Sequence, residues 1–386
     1  MRKKRRSVAL LIETSNSYGR GLLQGVVAYL QEHRPWSIHF PEQGRGEAPP
    51  SWLQQWRGDG LIARVENAGI ARAVQRTGLP VVDVSAARLI EGIPWVETDD
   101  RAIAAAGFAH LFERGFRNLA FCGEPAFNWS KWRQAQFLRL AADAGLCCRV
   151  YSQVPRRQRP TWDQEQQDLM QWVRRLPRPV GVMAAYDIKA QQLLDACREL
   201  RVDVPEDVAV IGVDNDELLC NLTEPPLSSV QPNTHRTGYE AAALLDRLMA
   251  GKKVPPVAHL IEPLGVVTRQ STDVLAIEDR DLAGAVRFIR EHACEGIKVQ
   301  EVLRAVPLSR RVLESRFRKL VGRTPHEEIT RVQVERVKEL LAETSLSLPA
   351  IAHRSGYRHV EYMSVAFKRE TGQAPSQYRS RYRKDG

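Results

Sequence analysis

Six residues, Ser15, Tyr18, Trp129, Arg133, Asp187 and Asp214, carry the groups that hold a polyhydroxylated small molecule. An aromatic plane stacks on the C–H face of a sugar ring, while a guanidinium and carboxylates fix its hydroxyls with charge-assisted hydrogen bonds. Trp129 and Arg133 stand four apart, so on a helix both leave the same face. Taken singly, each residue fits a plainer role: ordinary packing for Trp129, a surface ion pair for Arg133, helix capping for Asp187 and Asp214. Their common feature is position, since each follows a run that reads as a buried strand.

The elements that must position them alternate regularly. Val8-Ala9-Leu10-Leu11-Ile12 is an unbroken apolar run, and after a polar loop Leu22, Val26, Val27 and Leu30 recur at helical spacing. A strand at 60–63, a helix at 70–76 and a strand at 79–84 follow. Asp99 to Glu113 reads as a helix opening on an acidic pair, favourable at the positive end of its dipole. Beyond it come a strand at 119–122, a helix at 132–144, a strand at 179–184, a helix at 190–200 and a strand at 208–213. Such alternation predicts βαβ units and parallel sheets, whose ligands bind at the carboxyl ends of the strands.

The last quarter of the chain holds a second set of chemical residues. Offsetting it by 50 aligns Leu313 with Met363, Phe317 with Phe367, Arg318 with Lys368, Gly322 with Gly372 and Pro325 with Pro375. Each copy is a short helix (299–305 and 348–354), a turn, and a longer helix closed by Gly and Pro. Ser309 suits the N-cap of the first longer helix, whose outer face shows Arg310, Arg311, Glu314, Ser315 and Arg318. The second presents His359, Val360, Glu361, Ser364 and Lys368. Between the copies Pro325 to Glu343 reads as one helix, with Ile329, Val332, Val337, Leu340 and Leu341 inward. Nineteen residues at about 1.5 Å each give roughly 28 Å, near the roughly 34 Å between successive major grooves on one face of DNA.

Charge supports a nucleic-acid role for that end. The chain of 386 residues carries a net charge of +10; residues 281–386 hold 21 Lys/Arg against 13 Asp/Glu, and Arg2, Lys3, Lys4, Arg5 and Arg6 add five more cations. What remains, 7–280, is slightly acidic, so the polyanion partner belongs to the C-terminal part. The five N-terminal basic residues read as a solvated end rather than a DNA arm. Ordinary globular composition excludes a wholly disordered chain, and no apolar stretch reaches the roughly 18–20 residues of a membrane span. A cytoplasmic chain with no membrane partner is expected. Six cysteines without Cys-x-x-Cys or zinc spacing predict reduced, mostly buried thiols, no metal and no cofactor. An enzyme is not expected: G-x-G-x-x-G after the first strand, a Walker-type loop and a G-x-S-x-G elbow are all missing from the sequence.

Two resemblances sharpen this reading. Pro205-Glu206-Asp207-Val208-Ala209-Val210-Ile211-Gly212-Val213-Asp214-Asn215, the strand around Pro226-Leu227-Ser228-Ser229-Val230, and Arg269-Gln270-Ser271-Thr272 resemble LacI/GalR-type effector domains, which share the fold of periplasmic sugar-binding proteins. That likeness implies two α/β lobes clamping a small molecule, with Arg133 and Asp214 on its hydroxyls. Relatives of this type begin with a helix-turn-helix, whereas here only the basic residues precede the first strand. Ser309-x-x-x-Leu313-x-x-Arg316-Phe317-Arg318-x-x-x-Gly322-x-x-Pro325 and Tyr362-Met363-Ser364-x-x-Phe367-Lys368-x-x-x-Gly372-x-x-Pro375-x-x-Tyr378-Arg379 resemble the AraC/XylS-family DNA-binding domain. In the second unit Val365 stands where that family often has Arg, and His359 and Val360 replace its usual acidic and amide residues. The likeness there implies backbone placement of the helix and a phosphate contact from Lys368.

Together they imply an α/β two-lobed sensor of periplasmic-binding-protein type and an all-α double helix-turn-helix head. The expected bounds are 1–6 for the basic end, 7–275 for the sensor and 276–386 for the head. The expected function is a transcription regulator, an activator, whose binding to operator half-sites of double-stranded DNA is controlled by a small sugar, with a pentose such as xylose foremost. A homodimer is implied, with RNA polymerase as a further partner. The alternatives are a solute receptor without transcriptional role and a regulator answering to a non-pentose ligand.

Overall fold

A computed structural model of the chain describes residues 5–41, 44, 48–151, 161–273, 279–344 and 346–382. Two compact units emerge, Met1–Val274 and Leu275–Gly386. The expected border at 275/276 lies outside the described residues, as do Arg2, Lys3 and Lys4 of the basic end.

In the first unit the chain runs β1 (Ser7–Leu11), α1 (Ser17–Glu32), β2 (Ser37–His39), β3 (Gly60–Ala63), α2 (Ala68–Arg76), β4 (Val81–Asp83), β5 (Trp95–Thr98) and α3 (Asp100–Glu113). It continues through β6 (Asn118–Cys122), α4 (Asn128–Asp143), β7 (Cys148–Val150), α5 (Trp162–Arg174), β8 (Val180–Ala184), α6 (Asp187–Glu199), β9 (Val208–Val213) and α7 (Glu217–Leu222). Then come β10 (Ser228–Gln231), α8 (Thr234–Met249), β11 (Ala258–Ile261) and β12 (Gly265–Val267). Two six-stranded sheets result, ordered β11-β5-β4-β3-β1-β2 and β12-β10-β9-β8-β6-β7. All pairings are parallel except β10 with β12. Central strands β8 and β9 are buried at every residue, because helices cover both faces of a parallel sheet; hence their unbroken apolar runs.

The chain passes between the lobes three times, at β5 to α3, β10 to α8 and β11 to β12. All three passages lie at or near strand ends, so the strand-end residues of both lobes face one cleft. Asp99 caps α3, its carboxylate accepting from the N–H groups of Arg101 and Ala102. Separate cores hold the lobes: Val8, Leu10, Leu22, Val26, Val82 and Val96 in the first, Ala120, Leu193, Val182 and Val210 in the second.

Some boundaries depart from expectation. The helix expected at 132–144 starts at Asn128 and that expected at 190–200 starts at Asp187, placing Trp129 and Asp187 in first turns rather than in loops. Cysteines are less uniformly buried than expected: Cys122, Cys197 and Cys220 are buried, Cys148 and Cys294 partly so, and Cys147 is exposed.

The second unit is wholly helical among the described residues: α9 (Arg280–His292), α10 (Val299–Ala305), α11 (Arg310–Leu320), α12 (Pro325–Glu343), α13 (Leu348–Arg354), α14 (Val360–Thr371) and α15 (Pro375–Tyr382). The 50-residue offset is a packing repeat. Leu313 and Phe317 fill one core with Val286, Ile289 and Val302; Met363 and Phe367 fill another with Ile351, Leu340 and Leu341. Helix α12 serves both, giving Ile329 to the first and Val334, Val337, Leu340 and Leu341 to the second. Gly356 sits at φ +80, and a Cβ there would press on the Ala293 carbonyl and Gln333. Gln333 donates to that carbonyl at 2.9 Å, so glycine is the residue that lets the second turn pack against the first half of the unit. No helix of the described residues is long and apolar enough to cross a membrane.

Candidate functional site

Between the lobes of the first unit lies a cavity with about 490 Å³ of empty space, counting its open mouth. Asn16, Tyr18, Arg64, Glu97 and Thr98 line it from the first lobe, and Asp100, Trp129, Arg133, Tyr186 and Asp214 from the second.

Tyr18, Trp129, Arg133 and Asp214, four of the six residues singled out in the sequence, line this cavity. The first turn of α4 carries Trp129, and Arg133 follows one turn later, its guanidinium carbon 5.0 Å from the indole centroid. Tyr186 meets Trp129 edge-on at 5.5 Å, completing an aromatic wall. Arg133 is 4% exposed; its Nε donates to Asp100 Oδ1 at 2.7 Å and its Nη1 to the Ala185 carbonyl at 2.6 Å. Burial raises the Asp100 carboxyl pKa, against the pull of Arg133.

Across the cleft Arg64 is gripped by Glu13 and, at 2.8 Å, by Glu66. Although burial works the other way, those carboxylates raise the pKa of its guanidinium, which stays charged. Tyr18 lies 4.9 Å beneath that cation with its hydroxyl 3.4 Å from Thr98; burial raises the phenol, keeping it a neutral hydrogen-bonding group. Thus both arginines that line the cavity already hold carboxylate partners.

Ser15 and Asp187 do not line the cavity. Ser15 is exposed, and its neighbour Asn16 occupies the wall, accepting from Gly19 N–H at 2.7 Å to cap α1. Asp187 lies behind the wall and fixes the loop that carries Asp214. Its carboxylate accepts from the Ser229 hydroxyl at 2.6 Å, the Asp216 N–H at 2.9 Å and the Cys220 thiol at 3.5 Å. Burial, and secondarily the charge of Asp214, push this carboxyl up to about 8. The loop is strained: Asp214 and Asn215 have φ of +109 and +48. Glycine is required at 212, where a Cβ would overlap Asp187 Oδ1.

Eight wall residues escaped the sequence reading: Asn16, Arg64, Val84, Ala86, Glu97, Thr98, Asp100 and Tyr186. Arg64 directly follows β3, so the strand-end rule that found Asp187 and Asp214 could have found it. Glu97 and Thr98 end β5, a short strand absent from the expectation, and Asp100 was read only as part of a helix start.

In the second unit Ser309 caps α11, accepting from Val312 N–H at 3.4 Å. Arg310, Arg311, Ser315 and Arg318 are exposed along one face, and Arg310 Nε pairs with Glu314 at 3.0 Å. On α14 Glu361 and Lys368 are exposed, as is His359 just before it, with Val360 and Ser364 half-buried. Two large exposed side chains share that helix, Tyr362 (70%) and Val365 (67%). Sequence reading noted Val365 only as a departure from a family pattern. Beneath these helices Glu328, 1% exposed, receives Arg331 at 2.8 Å and Arg323 at 3.1 Å.

Comparisons with known proteins agree on both units. Family models described as an XylR N-terminal domain, a periplasmic binding protein-like domain and a helix-turn-helix domain match residues 7–100, 108–272 and 302–381. The chain is 35% identical to the xylose operon regulatory protein of Escherichia coli strain K12, over 97% of each chain. With that of Haemophilus influenzae it shares 32% over 96% of this chain and 97% of the relative. A solved structure described as the xylose-binding transcription activator xylR superposes with a TM-score of 0.81 at 34% identity, covering 98% of this chain and 99% of that one. A CelR–cellobiose complex superposes with a TM-score of 0.57 at 23% identity, over 69% of this chain and 85% of that one, a likeness of fold.

Proposed function

From the premise that this chain belongs to the family of xylose operon regulatory proteins, transcription regulators rather than enzymes, we propose that its effector is xylose, bound between the lobes of the first unit. The observation that carries the reading is the charge balance of the cavity. Arg64 is matched by Glu13 and Glu66, Arg133 by Asp100 and Glu97 by Arg88, while Asp214 adds a further carboxylate. An anionic ligand such as a sugar phosphate would meet like charge there, whereas a neutral polyol needs only fixed donors and acceptors with an aromatic face. Trp129 and Tyr186 supply the face; Arg133, Asp214 and Asn16 supply polar contacts. Asp187 acts one step removed, through the loop of Asp214. Ser15 has no part in the pocket.

The second unit reads DNA through α11 and α14. Ser309, Arg310, Arg311, Glu314, Ser315 and Arg318 face one major groove; His359, Val360, Glu361, Ser364 and Lys368 face the next, with Lys368 on phosphate. The sensor spans 7–275 and the head 276–386. The active form is a homodimer on two operator half-sites in the cytoplasm, activating transcription through RNA polymerase once sugar is bound. A thermal-shift screen of the full chain against pentoses and hexoses tests the effector, because a ligand of the native state stabilises it by RT ln(1 + [L]/Kd), about 2.7 kcal/mol at a hundredfold excess over Kd. Xylose should raise the melting temperature and xylose 5-phosphate should not. A shift with the phosphate alone would overturn the charge argument.

A further inference from the structure

We propose that Glu97 is a specificity-determining residue of the effector site, its Oε2 accepting the hydrogen bond of one particular sugar hydroxyl. The inference rests on the reading of the cavity as a neutral-sugar site and adds a residue that neither the sequence motifs nor the family resemblance picked out. Glu97 is 2% exposed and lines the cavity from the end of β5. Its Oε1 is taken by Arg88, which donates from Nε at 2.8 Å and also from Nη2. Oε2 is buried with no hydrogen-bond partner among the described residues. Buried acceptors are rarely left so, and an orphan at the wall of a ligand site marks a place where the ligand supplies the donor.

The chemistry of that donor follows from the surroundings. Burial pushes the Glu97 carboxyl up to about 7 against the pull of Arg88, so a second cation is not called for, and a neutral hydroxyl fits. Arg88 is itself held in a costly conformation, with φ +50 in the loop between β4 and β5. Two contacts fix it there: the Glu97 carboxylate from its own lobe, and the Trp132 ring of α4 across the cleft, 4.7 Å from the guanidinium carbon. Helix α4 also carries Trp129 and Arg133, so the hydroxyl that Glu97 accepts is read by a residue tied through Arg88 to the opposite wall. Arg88 is the positioning residue in this arrangement.

Calorimetric titration of the full chain with D-xylose and its 2-, 3- and 4-deoxy derivatives tests the proposal. In the wild type one deoxy sugar should bind on the order of 10- to 100-fold more weakly than xylose, because it leaves the buried Glu97 oxygen unpaired. Glu97→Ala should bind xylose more weakly by a similar factor and no longer distinguish it from that deoxy sugar. Glu97→Gln keeps the volume and should reduce the discrimination to a few-fold, which covers the case in which the alanine variant does not fold. Arg88→Met should lower discrimination at the same hydroxyl and leave the other deoxy penalties unchanged. The proposal is overturned if Glu97→Ala or Glu97→Gln retains the full wild-type set of deoxy penalties. A wild-type chain that binds no neutral pentose overturns instead the reading on which it rests.

Discussion

Replacing Arg133 by Met removes a buried charge while keeping most of the stem, and the structure gives the consequences for both stability and binding. Asp100, 5% exposed, would lose the Nε donor at 2.7 Å, and the Ala185 carbonyl its partner at 2.6 Å. Breaking one side of a buried pair costs about 3–5 kcal/mol. Because burial already raises the Asp100 pKa, the orphaned carboxyl can take up a proton, which holds the loss near the lower figure, about 3 kcal/mol. All eight tryptophans lie in the first unit, so denaturant unfolding followed by tryptophan fluorescence reads this unit alone. Asp100→Asn in the same chain removes the stranded charge, and the double variant should recover most of the lost stability. Sugar affinity should behave differently. Arg133→Met should lose roughly 10- to 150-fold, the worth of a charged hydrogen bond, and the double variant should not regain it. A double variant that recovers binding along with stability would mean that Arg133 serves Asp100 and never touches the effector.

Other outcomes follow from the same structure. The buried His110, whose ring meets Thr272 Oγ1 at 2.7 Å, is pushed down to about 3 by burial and by Arg114, below its ordinary 6.5. Its contribution is therefore full above pH 6.5 and lost as pH falls toward 3, so the tryptophan-reported transition should weaken in that window, and His110→Gln should flatten the slope. Glu328 is buried, which works against ionisation, yet Arg331, Arg290 and Arg323 together hold its carboxyl below the usual value. Its stabilisation is present above about pH 4.5 and declines as pH falls further, and Glu328→Gln should cost about 3 kcal/mol at neutral pH; an unchanged helical transition by circular dichroism would refute the triple-arginine account. On DNA, Arg311→Ala should relax preference at one or two base pairs, each worth about 1–3 kcal/mol, whereas Lys368→Ala should weaken all sequences alike and lower the salt slope by about one. Val365, so exposed on α14, should read a thymine methyl; replacing thymine by uracil in the half-site should cost the wild type affinity and leave Val365→Ala indifferent.

What could be read from the sequence followed from burial. Strands β8 and β9 lie under helices on both faces, so no polar residue interrupts them, and α12 announces itself by Pro325 at its start. Strands β11 and β12 left no such trace: they sit at sheet edges, every described position in them is at least partly exposed, and three or four residues are too few to show alternation. The lobe crossings were invisible as well, since nothing in a strand of three or four residues says which sheet receives it. The site divides likewise. Trp129 and Arg133 advertise themselves by helical spacing. Glu97 looks like one charge in a polar stretch until β5 is known to end at the cleft, and Asp187 earns its strand-end position by holding a neighbouring loop rather than a ligand.

The central claim is that one chain couples a sugar in the first unit to operator DNA on the second. Coupling between two binding sites is reciprocal, so xylose should tighten operator binding by the factor by which operator tightens xylose binding, on the order of 5- to 150-fold. Titrating the full chain with xylose, in the presence and absence of saturating operator DNA, measures that factor directly. The account predicts a lower dissociation constant for the sugar when operator is bound; equal constants in the two titrations would contradict it.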